Sequence, residues 1–457
     1  MRWVQSGAIR IPVHQFPAVS PTAPKNLFTD DFKAESYWWD TTGSGAAESQ
    51  ESRELPREVD VAIIGAGYTG LHTAIQTARG GRSTLLLDAE QVGWGCSSRN
   101  GGQVGTGLKP GLDALCRTYG ASRGHEIFAE GARSLDWIGR FVSEEQLQCD
   151  YKVCGRFHAA HNTSQFNRLA RAAEATANDP EGEAIVVSRT DQQEELGTDA
   201  YFGGIVYPRH ASLNPARYVD GLQQLAQDAG AEIAEHTRVN GVEKDSRAFI
   251  LHTSRGKVRA QQVAIATNGY TGTLTPWLRR RVIPIGSYII ATEPLPPTLM
   301  DRLMPRDRVV SDSRKVVYYY RPSPDRRRIL FGGRVSHNET DPLVSAPLLH
   351  RDLAQVFPEL ASVRVSHSWL GFVAYTFDTL MHIGERDGMH YAMGYCGSGV
   401  AMASYLGMRM GQQIMGQAEG RTGFDDLPFP TRPLYTGRPW FLGASVMYYR
   451  FRDRLNI

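Results

Sequence analysis

Sustained hydrophobic patterning begins at Glu58. Val59–Ile64 is a short apolar run ending in a glycine loop, Gly70–Arg79 has helical composition, and Ser83–Asp88 is a second apolar run. Strand, helix and strand within ~30 residues make a parallel crossover unit. A long amphipathic helix is predicted from about Leu112 to Phe141, with Leu115, Ile127, Phe128, Leu135, Trp137 and Ile138 along its apolar stripe. Tyr151–His161 reads as a strand and Ser164–Ala177 as a helix. Asn214-Pro215 opens another helix through Leu222 and Leu225, followed by strands at Glu232–His236, Ala248–Thr253 and Gln262–Ala266. Arg281–Thr292 and Val316–Arg334 are β-rich. His390–Met393 is strand-like and runs into Gly394, with a helix from Val400 to about Met415.

Before Glu58 there is no such periodicity. Residues 1–57 are predicted to form an extended arm over the body, anchored by Tyr37, Trp38 and Trp39, because an aromatic triplet is costly to leave in water. At 457 residues the chain exceeds one typical domain, so two connected domains are expected. A formal charge of +2 supplies no field for nucleic acid, and the runs Arg279–Arg281 and Arg326–Arg328 read as solvated turn faces. The five cysteines are scattered without a CxxC pair, which argues against a disulfide framework and a zinc ribbon, and no metal site is expected. The N-terminus lacks a signal-peptide core and no run of ~18 apolar residues occurs, so no membrane span is expected and the chain is assigned to the cytoplasm.

Four motifs carry chemistry. In Gly65-Ala66-Gly67-Tyr68-Thr69-Gly70, Gly65 allows a tight turn, Gly67 lets backbone amides approach a pyrophosphate, and Gly70 permits close helix–strand packing at a favourable helix dipole. Asp88 ends the next strand, near the ~20-residue spacing at which a ribose hydroxyl needs an acceptor. An ordinary β-α turn would not bring strand, glycines, helix and acid together. The second motif, Gly93 to Gly102, is rich in small residues that let backbone hug a flat ligand. Its Ser98, Arg99, Asn100, Gly101 and Gly102 lie just beyond the ribose acid, and Arg99 and Asn100 offer donors to phosphates or ring carbonyls. Third, Thr267 follows a strand within Ile265–Gly269, where a chain can pass beneath a dinucleotide. Fourth, Gly394-Tyr395-Cys396-Gly397-Ser398-Gly399-Val400 joins a strand to a helix whose amides can stabilise negative charge on a flavin edge. There is no HExxH helix, no GxSxG elbow and no redox cysteine pair.

From Glu58 to about Leu427 the chain resembles the glycine/D-amino-acid oxidase superfamily of flavoproteins, and within it the gamma-glutamylputrescine oxidase group. The matching segments are Ile64–Leu71, Ser98–Gly102, Leu213–Pro215, Ala266–Tyr270, Leu330–Arg334 and Gly394–Gly397. The resemblance implies an α/β fold: a discontinuous Rossmann-like FAD-binding domain (58–150, 205–280 and 367–427) with an inserted mixed β-sheet substrate domain (151–204 and 281–366). A C-terminal extension covers 428–457. It implies FAD as cofactor, with Val239 added to the cofactor contacts, and a small-molecule amine as substrate. The electron acceptor is oxygen or a carrier. Three departures stand out: Ser398 where relatives often carry His, Met381 where they carry Pro, and Leu330 where sarcosine-oxidase-like members place a lysine.

The activity so implied is hydride transfer from an amine carbon to the flavin, giving an imine that water hydrolyses. The amine is a gamma-glutamylated polyamine or an N-substituted amino acid. Tyr319, Tyr320 and Arg321 lie on the strand that faces substrate in amino-acid oxidases, where Arg321 can pair with a carboxylate; a salt bridge on the strand surface is the competing reading. Two rival functions are a dehydrogenase feeding a quinone or carrier, and a non-catalytic flavin-binding subunit. Val373 and Arg99 fall where some relatives tether the flavin covalently. Neither is a nucleophile toward it, so noncovalent FAD is expected.

Overall fold

A computed structural model describes residues 27–42, 54–175, 184–334 and 341–455. Most of the arm's proline-rich start, the polar stretch 43–53 and the last predicted helical residues 176–177 lie outside them. Two large sheets organise the rest. In the first, strands Val239–Asp245, Ala248–Thr253, Gly256–Ile265, Glu58–Ile64, Thr84–Leu87 and Glu232–Ala234 lie side by side. Met389–Met393 pairs parallel to Gly256–Ile265 and carries His382–Arg386 as an antiparallel partner. Glu58–Ile64 reads as a near-continuous apolar run because it sits between two parallel neighbours and is covered on both faces. Helix Tyr68–Arg79 covers one face and is itself covered by helix Gly399–Ile414, which is why almost every one of its side chains is buried.

The second sheet has nine strands, in the order Phe28–Lys33, Val365–Tyr375, Ile283–Thr292, Ile329–Gly333, Tyr319–Pro322, Val309–Asp312, Arg156–Ala159, Gly204–Tyr207 and Ile185–Val187. It is mixed: Phe28–Lys33 and Val365–Tyr375 run parallel, as do Val309–Asp312 and Arg156–Ala159. One face packs on helix Pro342–Val356 through Tyr288, Ile290, Phe331, Ala346, Leu349 and Leu353. Strands Ile283–Thr292 and Val365–Tyr375 also meet Asn268–Tyr270, which follows strand Gly256–Ile265 of the first sheet.

Several expectations are corrected. The helix predicted over 112–141 is two helices, Leu112–Tyr119 and Ala121–Glu144, because Gly120 takes φ +84° between them. The first helix begins at Tyr68 rather than Gly70, and the strand predicted over 151–161 shrinks to Arg156–Ala159. The second sheet draws on 151–204 and 281–366 as expected and also extends beyond them: Gly204–Tyr207 and Val365–Tyr375 pair within it, as does Phe28–Lys33 of the arm. The basic runs do lie at or beside turns, with Arg280 and Arg327 exposed, and their other members find partners there: Arg281 lies 3.6 Å from the Trp277 ring centre, Arg326 pairs with Asp301 and Asp307, and Arg328 donates to the Thr292 carbonyl. The C-terminal extension ends in a helix, Leu442–Leu455, which patterning did not reveal.

Candidate active site

The glycine loop is built as its spacing requires. Gly65 adopts φ +110°, and a β-carbon there would lie 2.8 Å from the Ala266 carbonyl. At Gly70 a β-carbon would lie 1.9 Å from the Gly65 carbonyl, so only glycine lets the helix start this close to the strand. Gly67 caps the helix with no side chain of its own. The Ser97 hydroxyl fills that role, accepting from the Tyr68 amide at 3.0 Å. Asp88 accepts from the Ala66 amide at 2.7 Å and the Glu90 amide at 2.9 Å, and burial raises its carboxyl to about 6. The Thr237 amide donates to the Asp88 carbonyl at 2.6 Å, which brings the start of the Val239 strand beside it.

The second loop is held by the arm. Trp38 donates its indole N–H to the Asn100 carbonyl at 2.8 Å, Trp39 to the Ser98 hydroxyl at 2.9 Å, and Ser36 to the Ser98 carbonyl at 3.0 Å. From the second sheet, Trp369 donates to the Arg99 carbonyl at 2.8 Å. Tyr37, Trp38, Ile289, Ala291, Leu330 and Trp369 form one apolar cluster there, and the anchor predicted from the aromatic triplet is present. Arg99 is sandwiched between Trp39 and Trp94, 4.6 and 4.5 Å from their ring centres, and its Nε donates to the Trp94 carbonyl. The Asn100 amide group donates to Tyr68 Oη and to the Cys96 and Ser97 carbonyls, while its oxygen accepts from the Gly102 amide. These donors stiffen the loop; they do not reach outward, contrary to the expectation that Arg99 and Asn100 offer them to a ligand.

The C-terminal box joins this assembly. Tyr395 Oη bonds the Thr69 hydroxyl at 2.6 Å, and the Gly394 amide donates to Asn268 Oδ1 at 2.9 Å, which ties the third motif to the fourth. Thr267 itself bonds Thr271 at 2.8 Å. Ser398 caps Gly399–Ile414 in position, yet its hydroxyl donates to the Gly107 carbonyl instead of a helix amide. Among the described residues, nothing lies within 4 Å of a β-carbon placed on Gly399, and around one on Gly397 only Tyr375 Oη and Lys109 Nζ do. A helix N-terminus thus opens onto unfilled space beside the glycine loop, the second loop and the sheet.

Across that space the second sheet shows a polar row. His158 is in register with Ser311, Ser311 with Tyr319, and Tyr319 with Gly332. The Tyr319 ring would sit 3.1 Å from a β-carbon on Gly101, and its hydroxyl bonds Ser287 at 2.8 Å. Strand alternation turns Tyr320 the other way, into the core against Phe331, where its hydroxyl bonds Tyr201. Arg321 returns to the Tyr319 side but is buried, donating to the Leu213 carbonyl at 2.8 Å and the Gly102 carbonyl at 3.2 Å. Of the three strand residues singled out in sequence, only Tyr319 lines the open space. Arg321 braces the second loop from a buried position, which rules out the surface salt bridge.

Residues 60–413 match the family model described as DAO, FAD dependent oxidoreductase. The chain is 32% identical to the probable oxidoreductase OrdL of Rhizobium meliloti, with 87% of this chain and 93% of that protein covered. It is 28% identical to the gamma-glutamylputrescine oxidoreductase of Escherichia coli over the same shares of each. The chain belongs to the DAO family of FAD-dependent oxidoreductases. The fold agrees: glycine oxidase from Geobacillus kaustophilus superposes with a TM-score of 0.69 at 19% identity, covering 83% of this chain and 99% of that one.

The DAO cofactor is FAD, and the residues present fit it. The glycines of the Gly65–Gly70 turn put no side chain of their own over the helix amides, Asp88 stands at the end of the next strand, and Gly397 and Gly399 flank Ser398 without β-carbons of their own. Sequence reasoning missed Ser97, the hydrogen bonds of arm residues Ser36, Trp38 and Trp39, and the row His158–Ser311–Tyr319 with Ser287, because each depends on a partner far along the chain. Among the described residues no helix is long and apolar enough to cross a membrane, and no group of three metal-ligating side chains occurs.

Proposed function

We propose that this DAO-family enzyme oxidises a C–N bond of an amine, with a gamma-glutamylated polyamine or an N-substituted amino acid as the substrate class. The observation that carries this reading is the contact of Tyr319 with Gly101: the polar row of the second sheet lies directly against the flavin-facing loop. A small molecule held on that row would lie beside the loop that Tyr319 touches at Gly101. Bound FAD supplies the two-electron acceptor for the hydride that leaves the amine carbon.

The chain's part is orientation and polarity. Burial keeps the Tyr319 phenol protonated, so with Ser287 it offers hydroxyl groups to the amine nitrogen. His158 is held neutral, pushed down to about 3 first by burial and then by Arg156, Arg168 and Lys109, so it does not repel a cationic amine. Apolar Trp369, Leu330 and Ile289 border the row and exclude water from one side. The likeness to the gamma-glutamylputrescine oxidoreductase supports the substrate class. In this reading the bound residues include Gly65, Gly67, Tyr68, Thr69, Gly70, Asp88, Thr267 and Gly394–Val400 toward FAD, and Tyr319 toward substrate.

Anaerobic mixing with gamma-glutamylputrescine, putrescine, sarcosine and D-amino acids tests the proposal. Flavin bleaching by at least one of these amines is expected, and bleaching by none overturns it. Delivery of electrons to a quinone or carrier is a second reading, favoured by apolar Leu330 at the position where some oxidases place a lysine. Oxygen uptake during turnover separates the two acceptors.

A further inference from the structure

We propose that the C-terminal helix Leu442–Leu455, with Trp440 just before it, docks the protein flat on an anionic lipid surface. This goes beyond the proposed amine oxidation, and it gives the quinone reading of the electron acceptor a route to a lipid-soluble carrier.

Ala444, Met447, Tyr448 and Phe451 recur at the spacing of one helix face, a stripe of the kind that usually turns toward a core. Here it turns outward: Met447, Tyr448 and Phe451 are exposed at 54%, 57% and 59%, and Trp440 at 72%. Val446, on the opposite side of the helix, is buried. The extension is fastened to the body by Tyr435, whose hydroxyl donates to the Val282 carbonyl at 2.7 Å, and by the packing of Tyr435 and Phe441 on Phe377. The helix is thus held by one side and leaves an aromatic, apolar side uncovered.

Charge selects among the occupants of that side. Five arginines against one aspartate give residues 428–457 a side-chain charge of +4, while the whole chain carries +2, so residues 1–427 carry a net of −2. Arg438 is exposed two residues before Trp440, and Arg452 lies over the Tyr448 ring at 5.9 Å, at the border of the apolar face. A second copy would bring the same arginines against these, and residues 1–26 carry Arg2, Arg10 and Lys25 with no acid, so neither complements the face. An anionic bilayer does. Apolar side chains enter the acyl boundary, indole and phenol rings take the interface, and guanidinium groups reach lipid phosphates. A helix of 14 residues is shorter than the ~20 needed to span, so it lies in the interface plane. Phe377, to which the extension is fastened, is two residues from Tyr375, whose hydroxyl lies 3.5 Å from a β-carbon built on Gly397. One short stretch of chain therefore connects the lipid-facing side to the flavin side.

Flotation of the flavin-loaded protein with vesicles tests this. Binding to phosphatidylcholine vesicles that contain phosphatidylglycerol is expected, with little binding to phosphatidylcholine alone and a decline as salt is raised. Met447→Ser combined with Phe451→Ser should weaken binding about tenfold or more, since both side chains enter the apolar boundary. Arg438→Gln should weaken it about fivefold. These positions are exposed, so flavin content and melting temperature should stay at wild-type values. If the double variant loses either, Trp440→Ser carries the comparison. No preference for the anionic vesicles, or equal binding by the variants, overturns the lipid surface. So does a concentration-dependent dimer that the double variant abolishes without vesicle binding, which assigns the face to a second copy. Binding to soluble polyglutamate as strong as to vesicles also overturns it, in favour of an acidic protein partner. Vesicle binding needs no turnover, so it stands or falls independently of the amine screen.

Discussion

The cofactor-facing and substrate-facing halves of the site are assembled by different means. On the cofactor side, strand Glu58–Ile64, the Gly65–Gly70 turn, helix Tyr68–Arg79 and Asp88 follow one another along the chain and meet through backbone amides and carbonyls. On the proposed substrate side, His158, Ser311, Tyr319 and Ser287 come from four strands and become neighbours only through pairing register. The first half tolerates almost no added atom, because backbone packs on backbone. The second is lined by side chains with room beyond them, so it can change its ligand without changing the fold.

The largest expected effect breaks the cofactor half. Gly70→Val places a side chain into the Gly65 carbonyl, 1.9 Å from the β-carbon, and should give protein that is unfolded or colourless. His158→Ala, on the other half, should purify with a full complement of flavin. The comparison collapses if flavin absorbance per mole of protein is unchanged in the first variant or lost in the second.

Next comes the arm residue that holds the second loop. Trp38→Ala removes a fully buried ring and the bond to the Asn100 carbonyl, and should cost about 3–5 kcal/mol in urea unfolding. FAD should dissociate faster from that variant, because the second loop loses its clamp. A midpoint within error of wild type would show the arm to be a passive covering.

Asp88 sharpens the comparison within the cofactor half. Asp88→Ala should weaken FAD binding by about 1–3 kcal/mol, measured by fluorescence titration of apoprotein. Its carboxyl is raised to about 6 by burial, so ionisation costs the folded apoprotein more than the unfolded chain. That contribution to stability is complete below the unfolded carboxylate range and is lost as pH rises through about 6. The melting temperature of Asp88→Asn apoprotein should therefore decline less than wild type between pH 4 and pH 7, taken as about the window between the two pKa values. A parallel decline in both would place the titration elsewhere.

The smallest effect concerns attachment. Burial pushes the Cys96 thiol up to about 11 and raises Cys396, so neither is a thiolate at neutral pH. Val373 has no nucleophile, and Arg99 is held between two indoles. Guanidinium should release intact FAD from the polypeptide, and Cys96→Ser should leave flavin retention unchanged. Flavin that stays with the precipitated chain would identify a covalent bond.

Local motifs were legible in proportion to how short their physics is. The Gly65–Gly70 turn and Asp88 could be placed because one crossover unit contains all the parts. The arm's anchor was legible because three adjacent aromatic residues have few inexpensive places to go. Arg99 and Asn100 were misdirected outward: their side-chain types announce donors, but nothing in the local sequence says that Trp94, Cys96 and Ser97 carbonyls will use them. Arg321 was misread for the same reason, since its partners at Gly102 and Leu213 lie more than a hundred residues away.

The sequence by itself determined that a dinucleotide is held at a strand–glycine–helix turn, because turn geometry, helix dipole and the following acid are properties of one contiguous segment. Only the tertiary structure decided that Tyr319 lies against Gly101 while Tyr320 and Arg321 belong to the framework. The physical reason is register: a one-residue shift in strand pairing would exchange the buried and ligand-facing side chains, and that register is set by packing between strands distant in sequence.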